Sequence, residues 1–250
     1  MTTIQLISPP GFGAVTPFDK AKHAGLGLKA GRNYAWCAKL NAVPVTVAEF
    51  GRVALDYPLA FMRDPRGGEV VAVAVLSLRS GENLFVNADG QWREASYVPA
   101  QFRRHPFCIV ELPPKEGQPP QNLVCVQEDQ LEPSSQPFID AEGKTTAAWE
   151  PIQKLLEAVE GSRKQTMEFA KRLDTAGLLV PFDALAMPTG GGSFRLQGLL
   201  RVDEQKLSQS PGRELKAMAE RGELRAIYAH LISLENFARL LDLTRISHGN

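Results

Sequence analysis

The sequence predicts an α+β fold in which a β-rich N-terminal half, with hairpins in a mostly antiparallel sheet, packs with a helical C-terminal half. Three observations support it. Short apolar runs alternate with Gly and Pro turns before residue 145, helical periodicity begins near residue 149, and 44% of the 250 residues are apolar, enough for a large core. We expect an extended N-terminal arm over residues 1–33 and one domain over 34–250, β-rich over 34–145 and helix-rich over 149–245.

The first elements of the predicted domain are a strand and a short helix. The run from Tyr34 to Ala42 is strand-like. Thr46 and Glu49 have the spacing of a capping box, in which each residue accepts the other's backbone N–H, so a helix is expected from Val47 to about Leu55.

Several further strands are predicted before residue 130. An Asn87–Gly90 turn with two short flanking runs indicates a hairpin, and residues 84–91 resemble residues 137–144, which suggests either a duplicated β unit or convergence on a common turn. The other predicted strands are Leu59 to Met62, Glu69 to Leu78, Phe107 to Leu112 and Leu123 to Gln127.

The second half is predicted to be mainly helical. Apolar residues recur at helical spacing from Trp149 to Asp174 and again from Leu224 to Leu241, and a shorter helix is expected from Arg213 to Ala219. The glycines of residues 189–193 predict a turn between two strands.

Composition argues against several classes of partner. Lys plus Arg and Asp plus Glu both number 28, so no basic excess points to nucleic acid. No apolar run approaches the ~20 residues that span a bilayer, and the N-terminal residues lack a signal-peptide pattern, so we expect a cytoplasmic protein. The three cysteines lie in apolar runs and favour buried free thiols over a redox role.

The sequence carries no recognisable reaction chemistry. It lacks a Gly-x-Ser-x-Gly elbow, a His-Glu-x-x-His motif, a Cys-x-x-Cys pair and a phosphate-binding glycine loop. Neither a metal nor a cofactor is therefore expected. The strongest candidate site is Arg103, Arg104 and His105, preceded by Tyr97. Guanidinium groups beside aromatic rings can bind a carboxylate, a phosphate or an acidic segment of a partner. The alternative is a surface turn whose arginines pair with Glu94 or Glu111.

Seven segments give the chain a resemblance to a known family. They are Asn41–Pro44, Asp56–Pro58, Val73–Leu76, Gly81–Val86, Tyr97–Ala100, Arg103–Phe107 and Ala229–Leu234. In this order they resemble the SapC family of bacterial proteins, over about residues 15 to 240. The chain departs from the family in the segment Val124–Glu128, where many relatives carry Asp directly after the strand.

The resemblance implies a functional context but no catalytic residues. The family is associated with surface-layer loci, and its members resemble companions of tryptophan-halogenase-like proteins and TonB-dependent receptors. This implies a place in surface-layer export, peptide modification or uptake. We therefore expect a non-catalytic accessory protein that recognises a protein or peptide partner, such as a halogenase-like protein or an export component.

Two other functions remain open on the sequence. One is an enzyme that binds a small molecule or peptide through Arg103 and Arg104 and uses Glu82, Asp56 or His105 as acid or base. The other is a homo-oligomer that associates through exposed aromatic side chains.

Overall fold

A computed structural model describes residues 6–31, 33–65, 67–112, 121–186 and 194–248. It confirms the α+β fold: antiparallel sheets dominate the N-terminal half and helices the C-terminal half. All described strand pairs are antiparallel.

Ten strands form three sheets among the described residues. In chain order they are β1 Thr16–Pro17, β2 Leu26–Leu28, β3 Ala42–Pro44, β4 Leu59–Arg63, β5 Val70–Val75, β6 Phe107–Leu112, β7 Gln121–Val126, β8 Leu131–Pro133, β9 Leu179–Ala186 and β10 Phe194–Val202. The sheets have the strand orders β1-β7-β6, β3-β5-β4-β10-β9 and β2-β8.

The described residues form seven α-helices, the first of which begins at residue 50. They are α1 Phe50–Val53, α2 Ala100–Arg103, α3 Glu150–Thr175, α4 Glu204–Ser208, α5 Gly212–Glu220, α6 Glu223–Ser233 and α7 Asn236–His248. Helix α3 matches the predicted Trp149 to Asp174 within one residue at each end. It stops just before Gly177, whose φ of 67° favours glycine.

The main core packs around the five-stranded sheet and also includes residues of α1, α3, α6 and α7. Strand β5 is apolar throughout, and it lies between β3 and β4, buried at all positions but Val71. The predicted capping box is present: the Glu49 carboxylate accepts the Thr46 N–H at 3.1 Å. The short helical segment then binds α3, because the Val47 N–H donates to Thr166 Oγ1 at 2.9 Å.

The two smaller sheets include the first two described strands of the chain. Strands β1 and β2 of the predicted arm pair with β7 and β8. The Phe18 ring stacks on Trp149 with ring centroids 4.7 Å apart, in a second apolar cluster that also contains Phe107 and Phe138.

Some predicted elements differ in the structure. The run from Tyr34 to Ala42 is not a strand: it contains a 3-10 turn at Ala35–Cys37, and only its last residue enters β3. The predicted hairpin at residues 84–93 is reduced to one bridge, between Val86 and Trp92.

The last predicted helix is two helices, α6 and α7, separated by Leu234 and Glu235. Asn236 begins α7, and its side-chain amide donates to the carbonyl oxygens of Ala54 and Tyr57, which ties the break to α1. The predicted turn at residues 189–193 lies outside the described residues.

Candidate functional site

The predicted basic cluster lies on one short turn. Helix α2 follows Pro99, Arg104 is its C-terminal cap, and His105 comes next. Because successive residues of a helix project about 100° apart, the three basic side chains point in different directions. The three side chains therefore make different contacts, although all three also line a second recess of about 370 Å³ beside Phe107.

Arg103 and Tyr97 hold the turn in place. The Arg103 guanidinium donates to the Val98 carbonyl oxygen at 3.1 Å and to the Tyr97 hydroxyl at 3.0 Å. The Tyr97 hydroxyl in turn donates to Glu49 Oε2 at 3.0 Å, and the Ala100 N–H donates to the same oxygen at 2.8 Å. Burial and the nearby Glu49 carboxylate raise the pKa of Tyr97. These contacts make Arg103 and Tyr97 structural residues of the turn.

His105 is enclosed by aromatic rings. Its imidazole stacks on Trp36 at 4.1 Å between ring centroids and meets Phe12 edge-on at 4.9 Å. Burial lowers the pKa of His105 to about 4, although the hydrogen bond to Gln127 acts in the opposite direction. His105 is therefore neutral near pH 7 and supplies no positive charge for an anion.

Arg104 differs from Arg103 and His105 in that its charged group is buried and has no partner among the described residues. Its side chain is buried, with 9% of the residue exposed, and its Nε has no hydrogen-bond partner. No hydrogen bond or ion pair of its guanidinium is found among the described residues. Burial lowers the pKa of Arg104, and Cys108 and Glu160 partly oppose this shift. A buried guanidinium without an acceptor is costly, so it marks a place where a ligand can supply one.

The Arg104 side chain lines a recess between two sheets. The recess has a volume of about 340 Å³ and lies among β5, β6 and α3. Its apolar wall includes Val45, Val70, Ile109 and Val159. This volume falls within the range of ligand pockets in proteins.

Two sheet edges border this recess. Strand β6 is the edge strand of its sheet, and Ile109 and Glu111 from it line the recess. Strand β5 extends past its partner β3, whose pairing ends at Val73, so Val70 and Val71 have β4 alone as a strand neighbour in the described sheet. Exposed edges of this kind can pair with an added strand.

The other charged side chains nearest to Arg104 are already paired. Arg163 Nε donates to both Glu160 oxygens at 3.0 and 3.1 Å, and its Nη2 donates to Glu111 at 3.1 Å. The Glu49 carboxylate accepts three hydrogen bonds, from Thr46, Tyr97 and Ala100. Glu111, which was predicted as a partner of the Arg103–Arg104 pair, binds Arg163 instead.

The structure does not gather the acid and base candidates of the enzyme hypothesis. Asp56 accepts the Tyr97 N–H and pairs with Arg239, while Glu82 accepts the Ser77 hydroxyl. Neither these two residues nor His105 lines the recess beside Arg104.

In the part of the chain that the structure describes, no three His, Cys, Asp or Glu side chains come together as metal ligands. None of the described helices is long and apolar enough to cross a bilayer.

The sequence pointed to the segment with Arg104 but not to the rest of the recess. Glu160 and Arg163 are three residues apart on α3, which is an ordinary spacing for a surface ion pair. Only the packing of α3 across β5 and β6 brings them to Arg104, about 60 residues away in the chain. No local pattern carries that information.

Comparison with known proteins identifies the family. No curated protein and no solved structure matches the chain. The SapC family model matches residues 18–240, which include every described residue of the recess. The chain therefore belongs to the SapC family.

Proposed function

We propose that this SapC-family member is a non-catalytic binding protein that recognises a peptide segment of a partner protein in the recess beside Arg104. The observation that carries the proposal is the buried Arg104 guanidinium, which lines the recess and has no acceptor among the described residues. A bound segment would supply that acceptor and remove the cost of the unpaired donor.

The sheet edges beside the recess favour a peptide over a compact metabolite. A polypeptide in extended conformation can pair with a sheet edge by main-chain hydrogen bonds while its alternate side chains enter a pocket. Both requirements are available here, since β6 is an edge strand and the apolar wall offers Ile109 and Val70.

The resemblance to the family extends the proposal to a biological context. We place the protein in the cytoplasm, as an accessory of surface-layer export or of a peptide-modification or uptake pathway. A halogenase-like protein or an export component would then be the partner that presents the segment.

A pull-down with three forms of the full-length protein tests the proposal. Wild type, Arg104→Gln and the surface control Arg213→Gln are immobilised and incubated with lysate of the source cells. Arg213 is exposed on α5 and does not line the recess. We expect the same partner to be recovered by wild type and Arg213→Gln, and its recovery by Arg104→Gln to fall about tenfold or more. Equal recovery by all three forms would remove the recess from the interface.

A further inference from the structure

The recess differs in charge between its inner and outer parts. The inner part contains Arg104, with Arg163 and Glu160 close to it, and these three groups carry a net charge of +1. Because Glu160 is already hydrogen-bonded to Arg163, the remaining positive charge belongs to Arg104. The inner part therefore lacks an anion that could pair with Arg104.

The outer part is acidic. Glu69 and Glu111 line the recess and are both exposed. Glu111 accepts a hydrogen bond from Arg163, but 51% of its side chain stays open to solvent. Leaving aside Asp64, which has a partner of its own, four carboxylates and two guanidinium groups line the recess in the described part of the chain, a net charge of −2. A simple anion would be attracted by Arg104 but repelled by the recess as a whole.

A suitable ligand must therefore carry both signs of charge. It needs a carboxylate that reaches the buried guanidinium, because a planar carboxylate can accept two of its parallel N–H bonds. It also needs a cation at the exposed acidic side chains. Between the two charges, the apolar wall formed by Val70, Ile109 and Val159 requires an apolar stretch.

We infer that the recess binds the C-terminal end of a peptide, with its terminal carboxylate on Arg104 and a Lys or Arg side chain of the same peptide at Glu69 and Glu111. The inference rests on the proposed function and names the chemistry of the recognised segment. A terminal carboxylate lies on the main chain and is present at every peptide end, whereas an internal segment can compensate the buried charge only where an Asp or Glu side chain reaches Arg104, because its carbonyl groups are neutral.

A peptide-library experiment with the full-length protein tests the inference. Acetylated hexapeptides, randomised at every position, are prepared once with free C-terminal carboxylates and once as C-terminal amides. Each library is passed over immobilised protein, and retained peptides are identified by mass spectrometry. We expect about tenfold greater retention of the free acids, with Lys or Arg enriched near the C-terminus.

Two variants separate the two ends of the recess. Arg104→Gln should retain acids and amides equally, whereas Glu69→Gln combined with Glu111→Gln should keep the preference for acids and lose the enrichment of Lys and Arg. Circular dichroism checks that each variant is folded. Equal retention of acids and amides by wild type, or retention of neither, overturns the inference.

The outcomes also separate the inference from the proposed function. A partner whose recovery depends on Arg104, together with equal retention of acids and amides, supports a binding protein that takes an internal segment and overturns the C-terminal assignment. Preference for acids that depends on Arg104, without any Arg104-dependent partner in lysate, supports the C-terminal assignment and contradicts recognition of a partner protein.

Discussion

Replacing Arg104 with Met should make the free protein more stable. Most buried arginines support their fold, and their loss destabilises it. Arg104 is different, because its Nε is buried without an acceptor and its guanidinium makes no ion pair within the described residues. Met keeps the aliphatic part of the side chain and its apolar contacts but ends before the guanidinium carbon, so it removes the unpaired donors.

The expected change in the free energy of unfolding is the sum of two opposing contributions. A buried donor left without an acceptor costs about 1–3 kcal/mol. Removing the Arg104 charge also removes its attraction to Glu160. Because Glu160 is already paired with Arg163, this attraction contributes about 1 kcal/mol at most. The free energy of unfolding should therefore rise by about 1 kcal/mol, which corresponds to an increase of about 2–4 °C in Tm for a chain of this size.

Urea unfolding followed by circular dichroism measures this change, and Arg163→Met is the matched control. Arg163 lines the same recess but donates hydrogen bonds to Glu160 and Glu111. Its replacement should lower the free energy of unfolding by about 1 kcal/mol, since the pair is partly exposed. If Arg104→Met destabilises the protein as much as Arg163→Met, Arg104 is a structural residue and the reasoning from its unpaired donors is refuted.

Three further predictions concern the rest of the fold. Burial lowers the pKa of His230 to about 4, so the unfolded chain takes up the proton first as pH falls. The stability that neutral His230 contributes, up to about 3 kcal/mol, is therefore present above pH 6.5 and lost between about 6.5 and 4; urea unfolding should show a shallower loss over this range for His230→Gln, and an equal slope would contradict the assignment. Gly90→Ala should lower Tm more than Gly143→Ala: both positions have positive φ, but a Cβ at Gly90 would meet Asn33 Oδ1 at 2.0 Å while Gly143 faces open space. Equal losses would show that Asn33 moves aside. All three cysteines are buried, so Ellman's reagent should modify them only as fast as the protein unfolds, and rapid labelling without urea would contradict their burial.

Elements with a strong local signal could be predicted from the sequence. The capping box at Thr46 and Glu49 depends on neighbouring residues alone, and it is present. Helix α3 is long and strongly periodic, and its predicted ends are correct within one residue. Glycines with positive φ are present at the turns of Gly90 and Gly143, but each turn closes a single bridge instead of a hairpin of two strands.

Elements that depend on distant contacts could not be predicted in this way. The apolar pattern runs on past Ser233, but the side chain of Asn236 bonds to carbonyl oxygens about 180 residues earlier and begins a new helix there. Tyr34 faces the Trp92 ring at 5.3 Å rather than entering a strand, a contact that the local sequence does not reveal.

The candidate site also depends on distant contacts that the local sequence does not reveal. The sequence singled out Arg103, Arg104 and His105 together, because basic residues beside aromatic ones can bind anions. Which of the three faces the recess depends on the rotation of α2 and on α3, and neither follows from local composition. In the structure, Arg103 donates to Tyr97, His105 contacts the rings of Trp36 and Phe12, and Arg104 has no acceptor among the described residues.

Site-specific photo-crosslinking tests the central claim most directly. A photoreactive amino acid at Gln101, which lines the recess and is half-buried, is compared with the same amino acid at the exposed Arg213. The account predicts that the Gln101 position captures one defined peptide of a partner protein, that Arg213 does not, and that Arg104→Gln abolishes the capture. Equal capture at both positions, or capture that persists with Arg104→Gln, would contradict it.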